Sequence, residues 1–143
     1  MAHTFVHEPI AHAEARSSAR DWSPAAQAFG FLYFGFVVLP LIAGVDKFFH
    51  LLTDWDSYLA PAIARILPVA THPFMLAVGV IEIIAGLLVA IRPSIGAYVV
   101  AAWLWGIIIN LLVYPGFLDV ALRDFGLSLG ALALARLARQ FGR

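Results

Sequence analysis

The chain contains no cysteine, which removes disulfides, thiolate catalysis, iron–sulfur clusters and Cys-ligated zinc from its chemistry. Charge is also scarce. Only 13% of the 143 residues are Asp, Glu, Lys or Arg, against about a quarter in a soluble domain. Nine basic and nine acidic residues cancel, so there is no electrostatic footing for nucleic acid. A glycine-rich phosphate loop, a metalloprotease helix pattern and a nucleophile triad are all missing. "GLSLG" around Ser128 has the form GxSxG, but it lies in an apolar helical stretch rather than at a strand–turn–helix junction. The first residues are neither basic nor followed by a short apolar core with a small-residue cleavage site, so no secretory signal is expected.

Apolar residues are abundant. They make up 62% of the chain, and the mean hydropathy is +0.89. Such a composition has too little polar surface to cover itself in water, which makes the lipid bilayer the expected solvent. A span needs about 20 apolar residues, and four stretches qualify. The first covers residues 28–45 and is expected to continue helically to about Leu52, kinked at Pro40. The second covers 73–91, the third 95–113 and the fourth about 118–137, joined by turns at "RPS" and "YPGF". Between the first two, "TDWDSYLAPAIARILPVATH" (53–72) is too polar to span. Trp55 and Tyr58 suit a membrane interface, and Ile63, Ile66 and Leu67 recur at helical spacing, so a short interfacial helix bracketed by Pro61 and Pro68 is predicted. The predicted fold is all-α, an integral membrane four-helix bundle over residues 27–143, preceded by a polar cytoplasmic arm, residues 1–26. His3 and His7 would share a helix face in that arm, with His12 nearby. No core fixes their geometry, and no metal site is expected.

With four spans, Arg16, Arg20, Arg92, Arg136, Arg139 and Arg143 fall on one side. Lys47, Arg65 and Arg123 fall on the other, beside Asp46, Asp54, Asp56, Asp119 and Asp124. The positive-inside rule places both termini in the cytoplasm.

The polar residues that remain inside apolar stretches carry the functional question. "AGVDKFFH" (43–50) closes the first span with Asp46, Lys47 and His50. Asn110 and Tyr114 close the third, Arg123 and Asp124 lie one turn into the fourth, and Glu82 sits near the middle of the second. At about 1.5 Å per residue these groups gather in the outer half of the bilayer. Gly79, Glu82 and Gly86 share one helix face by their spacing. So do Ala102, Gly106 and Asn110, and so do Arg123, Gly126 and Gly130, with Asp124, Ser128, Ala131 and Ala135 on the adjoining stripe. Small residues allow close helix approach, so these faces are expected to point inward. Adjacent helical residues point about 100° apart; Lys47 should therefore pair across the bundle, with Glu82 or Asp124, rather than with Asp46. Two plainer roles compete. Lys47 and His50 could snorkel to the headgroups, and Arg123 and Asp124 could be a solvated helix start.

"GVDKFFH" at the end of the first span, "VGVIEIIAGLLV" in the second and "LRDFGLSLGALAL" in the fourth give the chain, over residues 28–137, a pattern that resembles the DoxX-like membrane proteins. That family includes the small membrane subunit of thiosulfate:quinone oxidoreductase. Asp46 and Lys47 match the family's Asp-Lys, Glu82 its second-span acid, and Arg123 and Asp124 its Arg-Asp. The resemblance implies a four-span fold and a redox association.

Two roles are open from the sequence. One is an accessory or small subunit of a larger membrane redox assembly, with lipid and other membrane subunits as partners. The alternative is a quinone-linked oxidoreductase subunit acting on a small sulfur compound. There Glu82, Asp46 and Asp124 would serve as acid–base groups, and Lys47, His50, Asn110, Tyr114 and Arg123 would hold the substrate. A quinone from the membrane pool is the conceivable cofactor, and no electron-carrier motif is visible in the chain. Transport is disfavoured, because four helices without repeats make a narrow bundle.

Overall fold

The computed structural model describes residues 23–114 and 116–142. The polar arm with His3, His7 and His12, and Arg16, Arg20 and Arg143 of the charge count, lie outside them.

Among the described residues all regular structure is helical. Helix α1 (Pro24–Asp46) starts with Pro24 in its first turn, where a missing N–H does no harm, and the Ser23 hydroxyl accepts from the Ala26 N–H at 3.2 Å. It runs through Pro40 as one helix. A 3₁₀ turn (Trp55–Tyr58) and the one-turn helix α2 (Pro61–Ala64) follow. Three long helices complete the chain: α3 (Thr71–Ile91), α4 (Pro93–Leu112) and α5 (Leu118–Phe141).

Helices α1, α3 and α4 are long and apolar enough to cross a membrane. Their outward faces carry large apolar side chains, among them Phe31, Phe34, Leu39, Ile42, Ile84 and Ile109. In water such a surface would aggregate; in lipid it is solvated. The protein is a membrane-embedded, multi-pass chain.

The four long helices share one core. Phe36 of α1, Ala85 and Val89 of α3, Ala97, Val100 and Ala101 of α4, and Ala131, Leu134 and Ala135 of α5 pack together. Helix α1 lies on α3 and α5, and α4 on α3 and α5. The buried residues of α5, Ala121, Ser128, Ala131, Leu134, Ala135 and Ala138, are mostly small, and this lets α4 come close along its length. A second cluster caps the end where α1 finishes and α3 begins. Leu59, Met75 and Val78 form its buried centre, with Trp55, Ile63 and Trp103 packed around them.

Two expectations are corrected, and a third is met in a shorter form. The first helix does not continue to Leu52 but ends at Asp46, with a turn through Lys47–Phe49. Between Pro61 and Pro68 the predicted short helix is a single turn, Pro61–Ala64, and the buried pair Leu59–Ala60 separates it from the 3₁₀ turn before it. The inward face of α4 carries Gly96, Ala97, Val100, Ala101, Ile108 and Leu111, while Ala102 and Gly106 are exposed.

Candidate functional site: a charged knot at the end of α1

The knot depends on a close crossing of two helices. A methyl group on Gly44 would lie 2.6 Å from the Gly79 carbonyl oxygen, and one on Gly79 would lie 2.7 Å from the Gly44 carbonyl oxygen. Only glycine at both positions lets α1 and α3 approach this closely. Three residues beyond each glycine stands a charge, Lys47 on α1's C-cap and Glu82 in the middle of α3. Helical side chains lean toward the N-terminus of their own helix. Because α1 and α3 run in opposite directions, Lys47 leans toward the core and Glu82 toward the loop end, and the two meet.

Lys47 Nζ lies 2.5 Å from Glu82 Oε2. Both residues are buried, with 2% and 8% of their surface exposed. The ammonium also sits 3.8 Å from the centre of the Trp55 ring and makes a long 3.5 Å contact with the Ala43 carbonyl. It thus has an anion, a π face and a helix C-terminus around it, each favouring positive charge. The pairing of Lys47 with Glu82, rather than with its neighbour Asp46, agrees with the directional argument from the sequence.

Asp46 faces the other way and ends the helix. Its carboxylate accepts from the N–H of Leu51 (3.0 Å), the N–H of Leu52 (3.0 Å) and the indole Nε1 of Trp55 (2.7 Å). His50 supplies the reversal that brings these donors back. It has a φ of 54°, and its N–H donates to the Asp46 carbonyl at 2.7 Å. Histidine is among the non-glycine residues that enter this left-handed region more readily. One indole therefore joins the two adjacent charges, its edge donating to Asp46 and its face covering Lys47. Trp55 was legible in the sequence only as an interfacial aromatic.

Asn110 holds the loop from the opposite side. Its Oδ1 accepts from the Ala60 N–H at 2.9 Å, and its Nδ2 donates to the Tyr58 carbonyl at 2.8 Å. Tyr58 continues an aromatic chain to Phe117 (4.6 Å between ring centres) and from Phe117 to Tyr114 (5.1 Å). Asn110 and Phe117 thus pin the loop over the helix ends, with Tyr114 packed behind Phe117.

Helix α5 divides its polar residues between two faces. Asp124, half-buried, lies on the stripe of Ser128, Ala131 and Ala135, within electrostatic reach of Glu82. Arg123 and Gly126 face outward, contrary to the expected inward face. The Arg123 guanidinium meets Asp119 one turn earlier at 3.4 Å, on the surface. Trp103 adds a further feature, because its Nε1 is buried and turned toward Glu82 without completing a hydrogen bond.

His50 does not join the Lys47–Glu82 pair. Its ring stacks on that of His72, 5.4 Å between centres, and His72 Nδ1 lies 3.0 Å from Asp56 Oδ2. His72 and Asp56 had no signal in the sequence beyond their residue types.

The fold and knot define an all-helical membrane protein with an internally paired charge cluster. Comparison with protein-family models, curated proteins and solved structures gives no match to this chain.

Proposed function

We propose that the chain is a DoxX-like, four-span protein that acts as a small accessory subunit of a larger membrane electron-transfer assembly. One observation carries the accessory role: the charged groups of the knot are already engaged within the chain. Lys47 is enclosed by Glu82 and Trp55, and Asp46 accepts from three N–H donors. Groups held in this way fix helices and loop rather than exchange with a substrate. The aromatic, apolar exterior suits lipid and the helices of partner subunits. The membrane is the cytoplasmic membrane of a bacterium or archaeon, with both termini in the cytoplasm. Gentle detergent extraction at native expression level, followed by identification of co-purifying chains and an absorbance spectrum for flavin, haem or quinone, tests this role. A chain that extracts alone and colourless overturns it.

A second reading, a quinone-linked oxidoreductase subunit acting on a small sulfur compound, draws support from Asp124. This carboxyl has no hydrogen-bond partner among the described residues, and it stands in the field of Arg123 and, more weakly, of Glu82. Two carboxyls and one lysine leave a site able to carry a proton beside a buried pair. Glu82→Gln separates the readings, since it keeps shape and an acceptor for Lys47 but abolishes proton exchange. It also leaves the buried Lys47 without its anion, so turnover is measured per assembled complex. The accessory role requires unchanged turnover in the complex that assembles, and lost turnover there favours the second reading.

A further inference from the structure

Three side chains outside the knot converge from separate segments. His50 comes from the turn after α1, Asp56 from the 3₁₀ turn and His72 from the first turn of α3. Their ligand atoms all lie within 4.8 Å of one another. The Asp56–His72 contact is 3.0 Å, and the two imidazoles stack face to face. A further observation points to a ligand here. Asp56 Oδ1 is buried without a hydrogen-bond partner, an anionic oxygen with no donor to meet it. The left-handed turn at His50 lays its imidazole against that of His72, beside Asp56.

We infer that His50, Asp56 and His72 form a binding site for a divalent first-row transition-metal ion of the zinc type. Two imidazole nitrogens and one carboxylate oxygen are a donor set such ions take, with the remaining positions left to water. Metal–ligand bonds of about 2.0–2.2 Å place tetrahedral donors roughly 3.3–3.6 Å apart. Asp56 and His72, at 3.0 Å, need to part only slightly. His50 closes the remaining gap by side-chain rotation, which its partial exposure allows. Held by both carboxylate oxygens, the ion would also supply the missing partner of Asp56 Oδ1, and it would tie the end of α1 to the start of α3. This inference stands apart from the redox reading, because it needs neither quinone nor partner subunit.

The test uses the full-length, untagged protein in detergent with His3, His7 and His12 replaced by alanine. Of five histidines this leaves only His50 and His72. Titration with Co²⁺ should give saturable uptake of one ion per chain with visible d–d bands, displaced by Zn²⁺. His50→Asn (chosen because asparagine tolerates positive φ), His72→Asn and Asp56→Asn should each weaken uptake. The loss should be at least the roughly 10–100-fold that follows removal of an outer-shell partner. Each variant is checked for helix content and monodispersity, so that lost binding in a folded variant supports the site. A parent that takes up no more Co²⁺ than the folded His50→Asn/His72→Asn double variant overturns it.

Discussion

Lys47 and Asp46 are neighbours in the chain and point to opposite tasks, one inward to Glu82 and one outward to the loop. Their separation makes the pair Lys47–Glu82 testable by itself. Breaking a buried pair by removing one member leaves the other charge unpaired, at a cost of about 3–5 kcal/mol, whereas replacing both with apolar groups of similar volume is often neutral. Lys47→Ala should therefore lower the thermal stability of the detergent-solubilised protein sharply, and Lys47→Met/Glu82→Met should recover most of the loss. A Lys47→Ala protein that melts with the parent would show that the lysine contributes nothing as a pair. Asp46→Asn asks a different question. It keeps the shape but offers one acceptor oxygen in place of two, so it should loosen the 51–55 loop, raising its proteolytic sensitivity while α1 itself stays helical. Unchanged protease resistance would remove Asp46 from the loop's support. That Lys47 pairs across the bundle, with Glu82 or Asp124, was legible in the sequence because charges in apolar stretches have few partners and helix geometry excludes the adjacent one; the choice of Glu82 came from the Gly44–Gly79 crossing. The double role of Trp55 was not legible, since it depends on how the loop folds back, and no periodicity in the sequence encodes that.

At the scale of elements, the crossing of α1 and α3 is set by Gly44 and Gly79, and α4 offers a control. Gly79→Ala places a methyl group 2.7 Å from a backbone oxygen, which cannot rotate away. Overpacking of this kind costs about 1–3 kcal/mol, and here it should also part Lys47 from Glu82. Gly106 has nothing within 4 Å of an added Cβ. Gly106→Ala should be neutral or stabilising by up to about 1 kcal/mol through helix propensity. Thermal melts of the two variants in the same detergent decide the matter, and equal stabilities would mean that the α1–α3 approach is not limiting. The same comparison shows where sequence reading failed. Ala102, Gly106 and Asn110 share a helical stripe, yet Ala102 and Gly106 face outward while Asn110, near the end of α4, reaches to the loop. In a lipid-exposed helix both faces are apolar, so the amphipathic signal that orients a helix in water is missing. Small residues mark close approach only where a partner backbone is present. On α3 and on the Ser128–Ala131–Ala135 stripe of α5 they do so, and those faces were legible. Helix positions were legible too, because apolar length fixes them. The end of α1 at Asp46 was not, because it is set by His50 entering a left-handed conformation and by a carboxylate capturing N–H groups further along the chain.

For the whole molecule, the open question is how many times the chain crosses the bilayer. Three helices are apolar enough by themselves, and α5 is the polar one, with Asp119, Arg123 and Asp124 near its start and Arg136 and Arg139 near its end. Its packing argues for a fourth crossing. Gly142, just past α5, abuts Pro93 at the start of α4, and Arg139 lies 5.9 Å from the ring of Tyr98. At the opposite end Phe117, just before α5, stacks near Tyr114, just past α4. Helix α5 therefore runs antiparallel along the whole of α4, which is the packing that the proposed fourth crossing requires. Twenty-four residues at about 1.5 Å each exceed the roughly 30 Å hydrocarbon thickness. The charges cluster at the two ends, within reach of headgroups, and the outward side chains between them include Phe125, Leu129 and Leu132. Four crossings put the two termini on the same side, and three put them on opposite sides. With the proposed four crossings, six arginines fall on the terminal side against three basic residues opposite, and the expected outcome is that both termini lie in the cytoplasm. Reporter fusions at the N-terminus, at the C-terminus and within residues 53–70 read this directly. The termini should report cytoplasm and the loop the outer side. Termini on opposite sides would leave α5 out of the membrane, and with it the proposed four-span fold. Termini together but outside would keep the fold and reverse its orientation, turning the charged knot and the His50–Asp56–His72 cluster toward the cytoplasm.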